Sequence, residues 1–375
     1  MIRRLSNIYH LGIKELWSLW RDPMMLVLIA WTFSAAVYLA ATVVPETLHN
    51  ARIAIVDEDD SELSRRIGMA FYPPRFAIPE RITLPGMDSG LDSGASTFVL
   101  NIPPNFQRDV LDGRSPRVQL NIDGTQVIQA YYGDGVVQQI VNGEVDEFVR
   151  RYRAPGTTHV DLALRARFNP NMDHIWFYSL MELVNNVTIL ALLLTGAALI
   201  REKEHGTVEH LLVMPVTPTE IMLAKVWPNG LVVLVAAVGS LFLVVHGILH
   251  VPLQGPAGLF IAGTIVHLFA ATSLGILLAT YARSMPQLGL LMVIILVPLN
   301  VLSGGSTPRE SMPKFVQNIM LISPTTHFVE LSQAILYRGA GIETVWRQFL
   351  IILGIGTALF IISLLRFRRT IGQMS

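Results

Sequence analysis

Hydrophobic and polar positions alternate between two regimes along this chain. Residues 23–44 form a run with no charged residue, long enough to cross about 30 Å of hydrocarbon as a helix. The same charge-poor signal returns at 175–200, 219–245, 259–281, 286–304 and 345–366, which predicts six spans. The fifth is short, and Pro298 is expected to interrupt it. Residues 1–22 differ. Leu5, Ile8, Gly12, Leu16 and Trp20 recur at helical spacing with Arg3, Arg4, Lys14 and Glu15 among them. Such an amphipathic helix lies in a membrane surface or packs on the protein's own cytosolic side, and the pattern fits both. Asp22-Pro23 then reads as N-cap and first helical position. A cleaved signal peptide competes for this segment, but the long amphipathic lead and span-length run favour an uncleaved anchor.

Between the first two spans, residues 45–174 regain charges, prolines and glycines, and the apolar runs shorten. Arg52–Val56, Thr97–Ile102 and Arg117–Ile122 read as strands. Ser61–Tyr72, Pro104–Leu111 and Val127–Arg151 read as helices. This mixture predicts an α/β domain of about 130 residues, enough for its own core.

Composition sharpens the division. Of 375 residues, 51% are hydrophobic and 15% charged, against about 25% charged in an ordinary soluble domain. The formal net charge of +0 offers no global attraction to nucleic acid. The absence of cysteine excludes disulfides and thiol chemistry. Basic residues set the orientation. Arg3, Arg4, Lys14, Arg21, Arg201, Lys203, Lys225, Arg283, Arg366, Arg368 and Arg369 fall on one side if the spans alternate, against Arg309, Lys314 and Arg338 on the other. Both termini are therefore expected in the cytosol and the α/β domain outside.

The connection between the second and third spans carries the strongest functional pattern. It reads Arg201-Glu202-Lys203-Glu204-His205-Gly206-Thr207-Val208-Glu209-His210-Leu211-Leu212-Val213-Met214-Pro215. Gly206 is expected to end or bend the descending helix and Thr207 to cap a short new one. Val208, Leu211 and Leu212 give that helix an apolar face, and Pro215 closes it. Thr217-Pro218-Thr219-Glu220 is a capping box that restarts the chain upward. The expected product is a short transverse helix over 201–218, with charges ready for a partner. A solvated interfacial loop is the alternative.

This string resembles the cytosolic signature of ABC-2 type exporter permeases. Later stretches resemble the same family: Ala282-Arg283-Ser284-Met285-Pro286-Gln287-Leu288-Gly289, then Leu302 to Pro313, then Ser323-Pro324-Thr325-Thr326-His327-Phe328. The resemblance spans the whole chain and is most specific from Asn185 onward. It implies an α-helical polytopic inner-membrane protein: six transmembrane helices, an N-terminal amphipathic elbow helix, and a periplasmic α/β domain inserted between the first two spans. It also implies pairing with a second permease subunit, identical or homologous, a nucleotide-binding ATPase subunit that holds ATP and Mg, and a periplasmic adaptor protein. Arg201, Glu202, Lys203, Glu204, Gly206, Thr207, Glu209, Leu212 and Pro215 would then couple the chain to the ATPase. His205 and His210 occupy positions not expected to be constrained. The chain itself contains no G-x-x-x-x-G-K-[ST] loop to cradle phosphates.

Other polar residues are weighed individually. Glu182, with Asn185 and Asn186 one turn on, reads as a polar lining of a transport path or dimer seam, or as a carboxylate reaching the nearby interface. His246 and His250 have zinc-compatible spacing, but no third ligand is near in sequence and no metal is expected. His267 reads as a packing histidine. Thr307 to Glu310 is a further capping box. The short helices over 305–340, carrying Pro308, Glu310, Pro324, His327 and Glu330, resemble the family's re-entrant pair and are candidates for an exit gate. Structural packing explains them nearly as well. Gly354 and Gly356 suggest close packing of the last span.

Export of a drug-like or lipid-like molecule is therefore the leading expectation. A mechanotransmission subunit that relays ATPase strokes to the outer domain without transport is the alternative. An intramembrane hydrolase is disfavoured, because neither paired intramembrane aspartates nor H-E-x-x-H nor Gly-x-Ser-x-Gly occurs.

Overall fold

The computed structural model describes residues 2–43, 50–93, 95–123, 127–152, 174–204, 216–305, 309 and 312–372. The chain divides into two compact units, residues 44–164 and the remainder.

The larger unit is helical. α1 (Ile2–Trp20) is followed by α2 (Pro23–Phe33) and α3 (Ala35–Thr42), which together make the first apolar span. Asp22 caps α2, its carboxylate accepting from Met25 N at 3.1 Å, with Pro23 at the first helical position. The span breaks at Ser34, whose hydroxyl donates back to the Ala30 carbonyl, a local bond that competes with the helical ladder.

The smaller unit has its own core. Its helices are α4 (Glu62–Met69), α5 (Gly86–Asp92), α6 (Phe106–Leu111) and α7 (Val127–Tyr152). Its strands are β1 (Ile53–Asp57), β2 (Glu80–Arg81), β3 (Phe98–Ile102) and β4 (Gln119–Ile122), in spatial order β2-β1-β3-β4. β1 runs parallel to β2 and β3, and β4 is antiparallel to β3. Alternation along β1 sends Ile53 and Ile55 into a core with Leu63, Ile67, Phe98 and Phe148, and Ala54 and Val56 onto the other face beneath Met87 and Leu91. Burial on both faces is what parallel pairing requires. Arg66 ties α4 to α7 through Glu144 at 3.1 Å and Glu147 at 3.0 Å. The two-residue β2 and the short α5 had no counterpart in the sequence pattern, being too short to establish a period.

The helical unit resumes with α8 (His174–Glu204), α9 (Pro218–Gly239), α10 (Ala257–Tyr281), α11 (Met285–Leu302), α12 (Lys314–Met320), α13 (Pro324–Leu336) and α14 (Ile342–Gly372). Among the described residues, six helical stretches are long and apolar enough to cross a membrane. α8 and α10 form the centre, in contact with each other and with most other helices. A Cβ on Gly275 would lie 2.7 Å from the Leu192 carbonyl oxygen, so only glycine lets these two backbones approach. By contrast α11 and α14 leave much of their apolar surface exposed, as Leu290, Val293, Val297, Leu350 and Leu365 show.

One sequence expectation needs correction. Pro298 does not interrupt α11, which runs unbroken through it. A proline removes one donor and clashes with one carbonyl, and long helices absorb this as a bend. His246 and His250 do not share a helical face. The third span ends in a π-helical segment, Ser240–Ile248, where Leu249 N reaches back five residues to the Val244 carbonyl at 2.9 Å. His250 follows with a φ of 55°, and His246 Nδ1 is paired with the Val251 carbonyl at 3.1 Å.

Candidate functional site

The site gathers where α8 ends. Four consecutive residues there, Arg201 to Glu204, emerge about 100° apart around the helix and therefore face four directions. Arg201 Nη1 donates to Asp22 Oδ2 at 2.8 Å, joining α8 to the α1–α2 corner. Glu202 Oε2 lies 2.7 Å from Lys225 Nζ on α9, and its Oε1 lies 3.5 Å from Lys14 Nζ on α1. Lys203 Nζ donates to the Ala279 carbonyl at 2.7 Å and the Ala282 carbonyl at 3.3 Å, capping the C-terminal end of α10. Glu204 Oε1 accepts from Met285 N at 2.8 Å, at the N-terminal start of α11. Both helix ends receive the sign of charge that their dipoles favour.

Lys225 is the centre of this cluster. It is 2% exposed, and its ammonium also donates to Glu15 Oε1 at 3.0 Å and to the Ala198 carbonyl at 3.3 Å. Charges therefore alternate from Lys14 to Glu202 to Lys225 to Glu15. An ammonium this buried is tolerable only because two carboxylates and a carbonyl replace its water. Beside it, Thr217 and Glu220 form the capping box of α9: Thr217 N donates to Glu220 Oε2 at 2.7 Å, and Glu220 N donates to Thr217 Oγ1 at 3.4 Å. Arg4 on α1 lies 3.9 Å from Glu220.

α1 is held by close packing as well as by charge. A Cβ on Gly12 would fall 2.3 Å from the Trp227 ring, so glycine admits the indole against the helix backbone. Trp227 Nε1 donates to the Ile8 carbonyl at 3.2 Å, and Tyr9 stacks on the same ring. One face of α1 thus packs on the chain's own third span. Leu5, Trp17 and Trp20 project outward, each more than half exposed. The packed face accounts for the Gly12 and Ile8 positions of the amphipathic pattern.

These contacts change the meaning of the motif charges. The sequence placed Arg201, Glu202, Lys203 and Glu204 on a surface ready for a partner. In the structure each engages its own bundle. Gly206, Thr207, Glu209, Leu212 and Pro215, with His205 and His210, lie outside the described residues. Lys225, Glu15, Lys14 and Asp22 were missed as site residues. A signal was present for Lys225, since an ionisable residue inside a predicted span marks a site by default.

The other candidates are scattered along the bundle. Asn186 Nδ2 donates to the Thr32 carbonyl at 2.9 Å, two residues before the break at Ser34, and so stitches the first span to α8. The half-buried Glu182 lies four residues before Asn186, one turn away on the same helix. Asn185 Nδ2 donates to Asn300 Oδ1 at 3.1 Å, joining α8 to α11. Next to this pair a small cavity is lined by Thr188, Thr325 and Leu299 among others, and Thr325 Oγ1 is buried without a hydrogen-bond partner among the described residues. Its size and lining suit about one water. His267 is fully buried, its Nε2 2.8 Å from Thr188 Oγ1 and its ring stacked on Phe328 with centroids 4.0 Å apart. Pro308 and Glu310 lie outside the described residues. Pro324 begins α13, His327 Nε2 pairs with the Leu321 carbonyl at 2.9 Å, and Glu330 is exposed, so these three do not converge. Among the described residues no three His, Asp or Glu side chains gather to hold a metal.

Comparison with known proteins fits this architecture. A family model for the ABC-2 family transporter protein matches residues 23–365. The chain is 59% identical, over the full length of both proteins, to the inner membrane transport permease YhhJ of Escherichia coli strain K12. It is 26% identical to the probable multidrug ABC transporter permease YbhR of the same organism, covering 89% of this chain and 91% of that one. YbhS, of the same description, is 26% identical over 66% of each chain. With a family model covering most of its length and a relative this similar end to end, the chain belongs to the ABC-2 family of transporter proteins, as a polytopic membrane subunit.

Proposed function

We propose that this chain is the membrane-spanning permease subunit of an ATP-binding cassette exporter of the inner membrane, and that the Arg201–Glu204 hub is its mechanical input. A separate ATPase subunit, holding ATP and Mg, docks on the segment that follows Glu204. The hub distributes that push to α1, α9, α10 and α11 together. The supporting observation is that four consecutive side chains at one helix end bind four different elements of the bundle. A loop that merely solvates its charges has no need of this arrangement.

In this reading the α1 end faces the cytosol, consistent with the basic residues that flank the spans there. The exposed Leu5, Trp17 and Trp20 then sit at the membrane interface, where amphipathic aromatics are favoured. Residues 44–164 face the periplasm. A second permease subunit covers part of the apolar surface left open on α11 and α14, and a periplasmic adaptor completes the path. The cargo is a small amphipathic molecule, drug-like or lipid-like. Two relatives bear the description multidrug permease.

Purification of the intact chain from native membranes tests this reading. A nucleotide-hydrolysing companion is expected to come with it, and its ATPase rate in reconstituted vesicles should rise with an exported amphiphile. Recovery without such a companion would overturn the assignment. An ATPase rate indifferent to every amphiphile that crosses the membrane would favour a relay of motion over transport.

A further inference from the structure

The smaller unit carries a concave surface that the transport reading does not use. It lies between α4 and the edge segment leading into β2, with a volume of about 350 Å³. This falls within the range of small-molecule sites. Met69, Tyr72 and Ile78 line it and are 73%, 66% and 84% exposed. Single exposed apolar residues need no explanation, but three converging on one hollow do. Among the described residues, the charged ones lining it are Arg65 and Arg81. Arg65 faces Asp60 across 3.7 Å with both side chains more than half exposed, a contact too weak to occupy the guanidinium.

We propose that this groove binds an amphipathic organic anion: a carboxylate, sulfonate or phosphate head held by Arg65 and Arg81, on an apolar or aromatic body lying against Met69, Tyr72 and Ile78. Guanidinium forks match such head groups in geometry as well as charge. The apolar wall supplies the area that makes the site selective for an amphiphile over a free inorganic anion. A peptide adding as a new strand is the less suitable occupant. β2 is the edge of the sheet, but it is two residues long, and Pro79 beside it has no N–H to donate. The site stands on the geometry of residues 44–164 and is independent of how the helical unit moves.

The test uses the full-length protein in phosphatidylcholine nanodiscs, with 2-naphthalenesulfonate as probe and empty discs as background, read by saturation-transfer NMR. Saturable binding above background is expected. The double variant Arg65→Gln/Arg81→Gln and the variant Ile78→Ser should each bind more weakly, the double variant by at least about tenfold, as loss of charge-assisted bonds implies. Arg114→Gln, at an arginine that does not line the groove, should bind as the parent does. All the altered residues are exposed, so thermal unfolding should be unchanged and a folding defect would be visible there. The uncharged 2-naphthalenemethanol should bind at least about tenfold less tightly. The proposal is overturned if the probe binds no better than to empty discs, if Arg65→Gln/Arg81→Gln binds it like the parent, or if the uncharged analogue binds equally well.

Discussion

Replacing Lys225 by methionine tests the physical core of the hub. The substitution keeps most of the apolar stem and removes the ammonium, leaving Glu15 and Glu202 facing each other with side chains 14% and 11% exposed. At 2.7 Å and 3.0 Å, with an effective dielectric near 20, each ion pair is attractive by about 5–6 kcal/mol. Desolvation of the three charges offsets most of that gain. The observable cost is that of taking the shared cation from both carboxylates, about 3–5 kcal/mol. Denaturant titration of purified protein in detergent should show that loss for Lys225→Met. In the double-mutant cycle of Glu202→Gln with Lys225→Met the two losses should fail to add by about 2 kcal/mol. The triple variant Glu15→Gln/Glu202→Gln/Lys225→Met carries no unpaired buried charge and should recover most of the stability, while export in vesicles stays impaired. A coupling energy below about 0.5 kcal/mol, or a triple variant that exports like the parent, would refute the reasoning.

Three further outcomes follow from the same geometry. Exchanging the two capping charges, Lys203→Glu with Glu204→Lys, preserves net charge but sets each against the wrong helix dipole, and should cost about 1–3 kcal/mol in the same titration. Gly12→Leu cannot fit beside Trp227, so α1 should detach at a cost of about 1–3 kcal/mol, visible as a change in Trp227 fluorescence and faster proteolysis of α1. Thr188→Val leaves the buried His267 Nε2 without its partner and should lower stability by about 1–3 kcal/mol, whereas the same change at the exposed Thr357 should be nearly silent.

Hydrophobic periodicity located the spans because lipid and core demand the same apolar runs. For that reason it could not separate the buried α8 and α10 from the exposed α11 and α14. The caps at Asp22 and Thr217 were legible because capping depends on neighbours in sequence. The hub was only half legible. The charged string Arg201–Glu204 stood out, but its partners lie on other helices, from Glu15 and Asp22 to Met285, and no local rule links them. The break at Ser34 was hidden because one serine in an apolar run leaves no periodic signal, and the Asn186 amide that bonds the Thr32 carbonyl beside it lies 154 residues further along the chain. Pro298 misled because a single breaker was given more weight than an otherwise continuous apolar helix.

If the hub works as proposed, the ends of α1, α8, α9, α10 and α11 move as one body when the ATPase cycles. The chain has no cysteine, so spin labels can be introduced by single cysteines without background. Labels at the exposed positions Leu5 and Arg283 report the hub end, and one at Phe315, beyond the far end of α11, reports the opposite end. In the complex with its ATPase, pulsed electron–electron distances should show Leu5–Arg283 unchanged between nucleotide-free and ATP-trapped states, while Leu5–Phe315 and Arg283–Phe315 shift. A Leu5–Arg283 distance that changes as much as the other two would contradict the account.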